Sequence, residues 1–114
     1  MNASEKIVPS EISAEMICSI ANLAVLGVDG IEKTYMDLKD AVIDAVHPSA
    51  ISKGVKVVDK DGEYKIDLYV ITEKNVVIPK VCRSAQIKVK ESVEIMTGKP
   101  VAKVNIHVEG SGKY

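Results

Sequence analysis

Apolar residues recur at helical spacing in two long stretches of the chain. The first stretch covers about residues 14–26, and its apolar positions follow the i, i+3, i+4, i+7 rule of an amphipathic helix. These positions are Ile17, Ile20, Ala21 and Ala24, with Met16 and Leu23 widening the stripe. Ser13 can accept a hydrogen bond at the N-cap, and Gly27 can end the helix. We therefore expect a helix here that buries this stripe.

The second long helix is predicted over about 79–96. Pro79 suits the first turn, where a backbone N–H has no intrahelical partner. The Thr97-Gly98 pair stops the helix, and Pro100 prevents its continuation. On a helical wheel one face is apolar. That face consists of Cys82, Ala85, Val89, Val93 and Met96.

Alternating apolar and polar residues predict strands in much of the remaining chain. The runs 54–60 and 63–72 flank Asp61-Gly62, which is favoured chemistry for a two-residue hairpin turn. A cleanly alternating run predicts a last strand at about 101–109. A shorter strand is expected within 28–35, directly after the first helix.

Two further elements are predicted from shorter and weaker patterns. A short helix is expected over about 38–46, with Asp37 as its cap and Pro48 beyond its end. A brief strand is expected at 6–8, within an otherwise flexible N-terminal segment over residues 1–10.

The order of these elements, (β)αβ(α)ββαβ, predicts the fold class. The final strand–helix–strand unit should be a right-handed crossover that makes two strands parallel, while the hairpin supplies an antiparallel pair. We expect an α+β fold, an α/β sandwich, in which a small mixed sheet carries helices mainly on one face. One domain over 11–109 should be followed by a flexible tail at 110–114.

The alternation gives the sheet two unlike faces. The face expected to carry the helices consists of Val55, Val57, Tyr64, Ile66, Leu68, Val70, Ala102, Val104, Ile106 and Val108. The opposite face, called the open face below, consists of Lys56, Val58, Lys60, Lys65, Asp67, Tyr69, Ile71, Lys103, Asn105 and His107. The open face is either solvated, as is common for antiparallel sheets, or a docking surface centred on Tyr69, Val58 and Ile71.

Ile87 is a second candidate for contact, because it projects opposite the buried stripe of its helix. The predicted protein-interaction surface therefore comprises Val58, Lys65, Tyr69, Ile71, Ile87, Lys103 and His107. A lone exposed isoleucine is also common without any function.

Composition narrows the function classes. The formal net charge of the 114 residues is -1, so no global field attracts nucleic acid or anionic lipid. The core must be aliphatic, because the chain has no Trp or Phe. The first residues of the sequence contain no apolar core of signal-peptide length, and no apolar run reaches the roughly 18 residues that a membrane span needs. We expect a cytoplasmic protein whose membrane association, if any, comes through a partner.

The side chains that usually carry chemistry are sparse. Cys18 and Cys82 are expected to be buried, reduced thiols. His47 and His107 have no cysteine or carboxylate at ligand spacing, and His107 is expected to be solvated on the open face. No nucleotide fingerprint or nucleophile motif is present. We predict no catalytic residue, no metal site, no cofactor and no enzymatic activity.

A nucleic-acid-binding role is the alternative. Gly27-Val-Asp-Gly30 matches the bare G-x-x-G of KH domains, and the open face carries several lysines. Asp29 inside that loop would repel phosphate, and a helix stop followed by a turn explains the same residues. Nucleic acid is therefore the less favoured partner.

Several blocks along the chain together resemble one family. They are Glu11-Ile-Ser-Ala-Glu-Met-Ile with Val28-Asp-Gly-Ile, Ser52-Lys-Gly-Val-Lys-Val, Ile66-Asp-Leu-Tyr-Val-Ile, Val77-Ile-Pro-Lys-Val, Val89-Lys-Glu-Ser-Val-Glu-Ile-Met-Thr-Gly and Val104-Asn-Ile-His-Val. In this order, over about 11–109, they resemble the alkaline shock protein family of Gram-positive bacteria, also called envelope stress response proteins. No single block is specific, but their order is.

The resemblance implies a small, non-enzymatic α/β protein linked to the general or cell-envelope stress response. Members of that family are cytoplasmic, tend to self-associate and are in some cases held at the membrane by a separate anchoring protein. The resemblance supplies no catalytic residues. The chain departs from the family pattern in its helical-looking 35–50 segment and in its short tail. The expectation is an assembly protein that forms homo-oligomers and docks a partner.

Overall fold

The computed structural model describes residues 12–37 and 49–112. The predicted strand at 6–8, the flexible segment at 1–10 and the helix at 38–46 lie outside these residues. The short 35–50 segment is therefore described only at its two ends.

The two long predicted helices are present, and their first and last residues lie close to the predicted ones. Helix α1 spans Ala14–Leu26, and the Ser13 Oγ accepts a hydrogen bond from the Met16 backbone N–H at 3.2 Å. Helix α2 spans Ile78–Thr97 and has a proline in its first turn. It ends at Gly98, which has a left-handed φ of 71°. The predicted N-cap of α1 and the glycine stop of α2 are thus confirmed. No helix within the described ranges is long and apolar enough to cross a membrane.

Within the described ranges, five strands form one mixed sheet. They are β1 (Ile31–Thr34), β2 (Ala50–Ser52), β3 (Val55–Lys60), β4 (Glu63–Thr72) and β5 (Val101–Ser111). Strand β4 is central. It pairs antiparallel with β3 and, further along the same edge, with β1, and it pairs parallel with β5. Strand β2 adds to β3. The predicted fold class is confirmed, and the β4–α2–β5 unit is the parallel crossover.

Two tight turns explain how the antiparallel strands meet. Asp61 and Gly62 have φ values of 54° and 80°, as a primed two-residue hairpin turn requires, so the predicted β3–β4 hairpin is confirmed. Lys53 and Gly54 have φ values of 51° and 85° and make the same kind of turn between β2 and β3. Strand β2 was not predicted, because it has three residues and lysine is a poor marker of such a turn.

The core lies between the helices and one face of the sheet. Aliphatic side chains from β3, β4 and β5 form a single buried cluster with those of α1 and α2. Val55, Val57, Ile66, Leu68 and Val70 are all fully buried in it. The predicted helix-covered face of the hairpin is confirmed.

The buried stripes of both helices differ from the predicted ones. Helix α1 buries Cys18 and Val25, whereas Met16 and Leu23, predicted to widen the stripe, are exposed. Because α1 is apolar around most of its circumference, its periodicity could not select the buried side. Helix α2 buries Val81, Ala85, Val89 and Val93, a row at i+4 spacing that follows a helix ridge. Cys82 is half-buried and Met96 is 60% exposed, so both were wrongly included in the predicted face.

Strand β5 also departs from strict alternation. Its register against β4 shifts between the Tyr64–Val101 and Lys65–Lys103 pairs. A bulge of this kind inserts one residue into one strand of a pair. Val101 is consequently buried and Ala102 exposed, whereas alternation placed Ala102 on the covered face. The strand also runs to Ser111, two residues beyond its predicted end.

Candidate functional site

The structure gathers most of the predicted interaction residues on the open face and separates one of them. Val58, Lys65 and Lys103 form one row across β3, β4 and β5, and Tyr69 and His107 form a second row. Ile71 follows in β4 and is half-buried. Ile87 lies on α2, in the helical layer on the other side of the sheet, so it belongs to a different surface.

Side chains of the open face form a connected cluster, called the open-face cluster below: Lys56, Asp67, Tyr69, Asn105 and His107. The Asp67 Oδ1 lies 2.8 Å from the His107 Nε2 and accepts a hydrogen bond from the Asn105 amide at 3.0 Å. The Tyr69 and His107 rings stack, with centroids 4.4 Å apart and planes 10° from parallel. The Lys56 Nζ lies 5.1 Å from the Tyr69 ring centroid.

Burial within this cluster is higher than expected for an open sheet face. Tyr69 is 7% exposed and Lys56 only 2%. The His107 side chain is 41% exposed, in line with the expected solvated position on the open face, and it is also bound to Asp67, which was not expected. The carboxylate fixes the imidazole ring against the tyrosine. On the open face, the exposed members of the predicted surface are thus Lys65 and Lys103, which flank the cluster.

A groove of about 840 Å³ lies on the helical side of the molecule and is called the α2 groove below. It is formed by the turn between α1 and β1, the turn between β4 and α2, and one side of α2. Its lining consists of Gly27, Val28, Asp29, Gly30, Glu73, Lys74, Val76, Val77, Lys80, Val81, Ser84, Ile87, Lys88 and Glu91.

Two reciprocal hydrogen bonds join the turns that form one end of the groove. The Gly30 N–H donates to the Glu73 carboxylate at 3.1 Å, and the Glu73 N–H donates to the Gly30 carbonyl at 2.8 Å. Gly30 has a φ of 99°, and a Cβ there would lie 2.6 Å from the Val81 Cγ2. Glycine is therefore required at this position for both its backbone conformation and its contact with α2.

The groove combines apolar walls with charges of both signs. Three lysines and three carboxylates line it, together with four valines and Ile87, which is 54% exposed. Because the charges balance, the lining favours neither an anion nor a cation as a ligand. The Gly30 amide, which a G-x-x-G loop would offer to phosphate, is already bonded to a carboxylate. A mixed apolar and charged surface is typical of contact with another protein.

Neither cysteine is arranged as a reactive thiol. Both are free thiols; Cys18 is buried and Cys82 half-buried, so the expected burial holds fully for Cys18 alone. Burial, with a smaller contribution from the Glu15 charge, raises the pKa of the Cys18 thiol to about 11. Burial also raises the pKa of the Cys82 thiol. Among the described residues, no group of three His, Cys, Asp or Glu side chains could hold a metal ion.

Sequence reasoning did not find the α2 groove or the Asp67–His107 pair. Gly30 and Glu73, which are bonded at one end of the groove, are 43 residues apart in the chain, and Asp67 and His107 are 40 residues apart. Only the parallel register of β4 and β5 brings Asp67 beside Asn105 and Tyr69 beside His107. The alternation did place all four side chains on one face, which was the available signal.

Comparisons with known proteins point to one family. Residues 2–111 match the family model of the alkaline shock protein 23 family, which is described as having a cell envelope-related function. The chain is 33% identical over 100 residues to the uncharacterised protein YqhY of Bacillus subtilis, covering 88% of this chain and 74% of that protein.

Two further relatives are similar to the same extent. The uncharacterised protein Spy1535 of Streptococcus pyogenes serotype M6 is 34% identical over 106 residues, covering 92% of this chain and 78% of that protein. The uncharacterised protein YloU of Bacillus subtilis is 31% identical over 102 residues, covering 88% and 85%. No solved structure matches the chain.

Proposed function

The chain belongs to the alkaline shock protein 23 family, whose function is cell envelope-related, and from this premise we propose that it is a non-enzymatic assembly protein of the envelope stress response. It acts by associating with copies of itself and by docking a protein partner. It works in the cytoplasm, and a membrane-anchoring partner holds it at the inner face of the cell membrane.

The observation that carries this proposal is the α2 groove with Ile87 at its margin. More than half of the Ile87 side chain is exposed on a helix whose opposite side is fully packed against the sheet. Apolar walls of Val28, Val76 and Val77 lie beside it. An exposed apolar anchor next to an apolar groove with charged margins resembles the composition of a protein interface.

The open face supports the docking of a partner on the other side of the molecule. Lys65 and Lys103 are register neighbours on β4 and β5 and are both exposed. Val58 and Ile71 are half-buried near the rigid Tyr69–His107 stack. Two surfaces on opposite sides of one small domain would allow one contact between copies and a separate contact with an anchor.

Sedimentation velocity over a concentration series, at low and at high salt, tests self-association. The expected result is a weight-average mass that rises with concentration above that of the monomer. A single monomeric species at every concentration and salt would refute self-association.

Partner docking is tested in the native host. Deletion of the gene should increase sensitivity to envelope-active agents, and the wild-type copy should restore resistance. The double variant Lys65→Glu/Lys103→Glu, which leaves the core untouched, should lose the membrane-fraction pool of the protein. A matched variant on the helical side, Leu23→Glu, should keep it. A deletion strain without an envelope phenotype would contradict the proposal.

A further inference from the structure

We propose that two copies of this chain pair through α2, antiparallel about a two-fold axis at Ile87. The outer stripe of α2, defined as Lys80, Arg83, Ile87, Glu91 and Glu94, forms this interface. The inference rests on the self-association proposed above and identifies its surface and its geometry.

The stripe is a continuous feature of one helix. At 100° per residue its five positions fall within an arc of about 80°, on the side opposite the buried row that packs on the sheet. Ile87 lies at the centre of the arc and at the centre of the stripe along the helix. Lys80, Arg83 and Glu91 are exposed. Glu94 is half-buried, and its Oε2 accepts a hydrogen bond from the Val101 N–H at 2.9 Å, which holds the carboxylate in place.

The charges of the stripe are complementary to themselves when one helix is reversed. Arg83 and Glu91 lie four positions to either side of Ile87, and Lys80 and Glu94 lie seven positions to either side. In an antiparallel pair about Ile87, each Arg83 therefore faces the second copy's Glu91. Each Lys80 likewise faces the second copy's Glu94. A two-fold axis repeats both contacts, so four opposite-charge pairs surround two isoleucines.

The order of these charges is unfavourable for α2 by itself. A helix is stabilised by acidic residues in its first turn and basic residues in its last turn, because of the partial charges at its ends. Helix α2 has neither, and it instead carries Lys80 near its start and Glu94 in its last turn. An antiparallel second helix brings the opposite charge and the opposite dipole to each end, which removes this conflict.

The α2 groove gives the second helix a place to lie. Lys80, Ile87 and Glu91 belong both to the stripe and to the groove lining, so the groove runs beside the interface. The second copy's side chains can pack against the apolar walls of the groove. One helix pair forms a small interface by the standards of stable dimers, so we expect association in the micromolar range that weakens with salt.

Charge reversal tests this geometry with two variants. Arg83→Glu places Glu beside the second copy's Glu91 twice, and Glu91→Arg places Arg beside the second copy's Arg83 twice. By sedimentation velocity at low salt, each variant alone should associate at least about tenfold more weakly than the wild type. An equimolar mixture of the two should associate again, because every contact in the mixed pair joins opposite charges. Lys65→Glu, the same kind of change on the open face, should leave association unchanged.

A cross-link tests the register independently. Ile87→Cys in a Cys82→Ala background should form a disulfide-linked dimer on mild oxidation, because the two Ile87 positions meet at the axis. Lys80→Cys in the same background should not, because its counterpart lies at the far end of the pair.

The outcomes separate this inference from the proposed function. If the wild type associates while both charge variants behave as it does, or if the mixture stays monomeric, this interface is wrong and self-association uses another surface. Preferential cross-linking at Lys80→Cys would also overturn it. If the wild type is monomeric throughout, the proposed self-association itself fails, and this interface fails with it.

Discussion

The two faces of the sheet reach low exposure by different means. On the helix-covered face, Ile66, Leu68 and Val70 of β4 are fully buried among aliphatic side chains of both helices. On the open face, neither α1 nor α2 contributes to burial. Tyr69 is nonetheless 7% exposed and is stacked on His107. One strand thus contributes to a dry aliphatic interior on one side and to a polar, ring-stacked cluster on the other.

The difference indicates which face can carry function. Aliphatic packing is non-directional and tolerates few changes of volume, so the covered face is committed to stability. The open-face cluster is directional, because each contact depends on a hydrogen bond or a ring plane, and its margin remains exposed. Under the proposed docking, changes at this exposed margin, at Lys65 or Lys103, should alter partner binding at a small cost in stability.

The largest effect is expected from the covered face. Ile66→Ala should lower the free energy of unfolding by about 2–5 kcal/mol, because fewer apolar groups are removed from water on folding and because a cavity remains in the core. Ile71→Ala, the same change in the same strand on the open face, should cost only about 1 kcal/mol because Ile71 is half-buried. Urea unfolding monitored by circular dichroism measures both. Equal losses would contradict the contrast between the faces.

The ionisation of the Cys18 thiol should report how far water is excluded from the covered side of the sheet. Its pKa in the folded protein is about 11, above the ordinary value, so the unfolded thiol ionises first as the pH rises. Between about pH 9 and 11 the folded state binds more protons than the unfolded state, and this contribution to stability is lost with increasing pH. The loss should reach about 2 kcal/mol at pH 11.

Comparison with the Cys18→Ala variant separates the contribution of this thiol to the pH dependence of stability from that of other titrating groups. The variant should lose less stability than the wild type between pH 8 and 11, as measured by urea unfolding at each pH. Cys82→Ala is the matched control and should change the pH dependence less, because Cys82 is only half-buried. Parallel pH profiles for wild type and Cys18→Ala would show that the thiol is hydrated.

The smallest effect is expected from the open face. A double-mutant cycle of Asp67→Ala and His107→Ala at pH 7 should give a coupling energy of about 0.5–1.5 kcal/mol, because the pair at 2.8 Å is partly exposed. Tyr69→Phe keeps the ring stack and should leave this coupling unchanged. A coupling near zero would show that the cluster is held by stacking alone.

Local signals in the sequence predicted the elements well. Ser13, Asp61-Gly62, Pro79 and Gly98 each act through a few neighbouring residues, so their roles could be inferred without tertiary contacts. Alternation also assigned the hairpin side chains to the correct faces. Helix α1 was the weaker case, because residues such as Leu23 are as apolar as those it buries, and only contact with the sheet distinguishes them.

Long-range register could not be predicted in the same way. The bulge that exposes Ala102 depends on how β5 aligns with β4, across a helix of 20 residues. The same alignment brings His107 to Asp67, a contact between residues that are 40 positions apart in the chain. The α2 groove likewise depends on the contact between Gly30 and Glu73. Each feature arises from residues that share no local pattern.

The position of β4 has a consequence for how the molecule opens. Three of the other four strands bond directly to it, and the fourth is attached through β3. Thermal fluctuations can detach β1, β2 or β5 and leave the remaining strands paired. Release of β4 breaks every strand pairing except that of β2 with β3, so the slowest amide exchange should occur in its backbone, at a rate set by global unfolding.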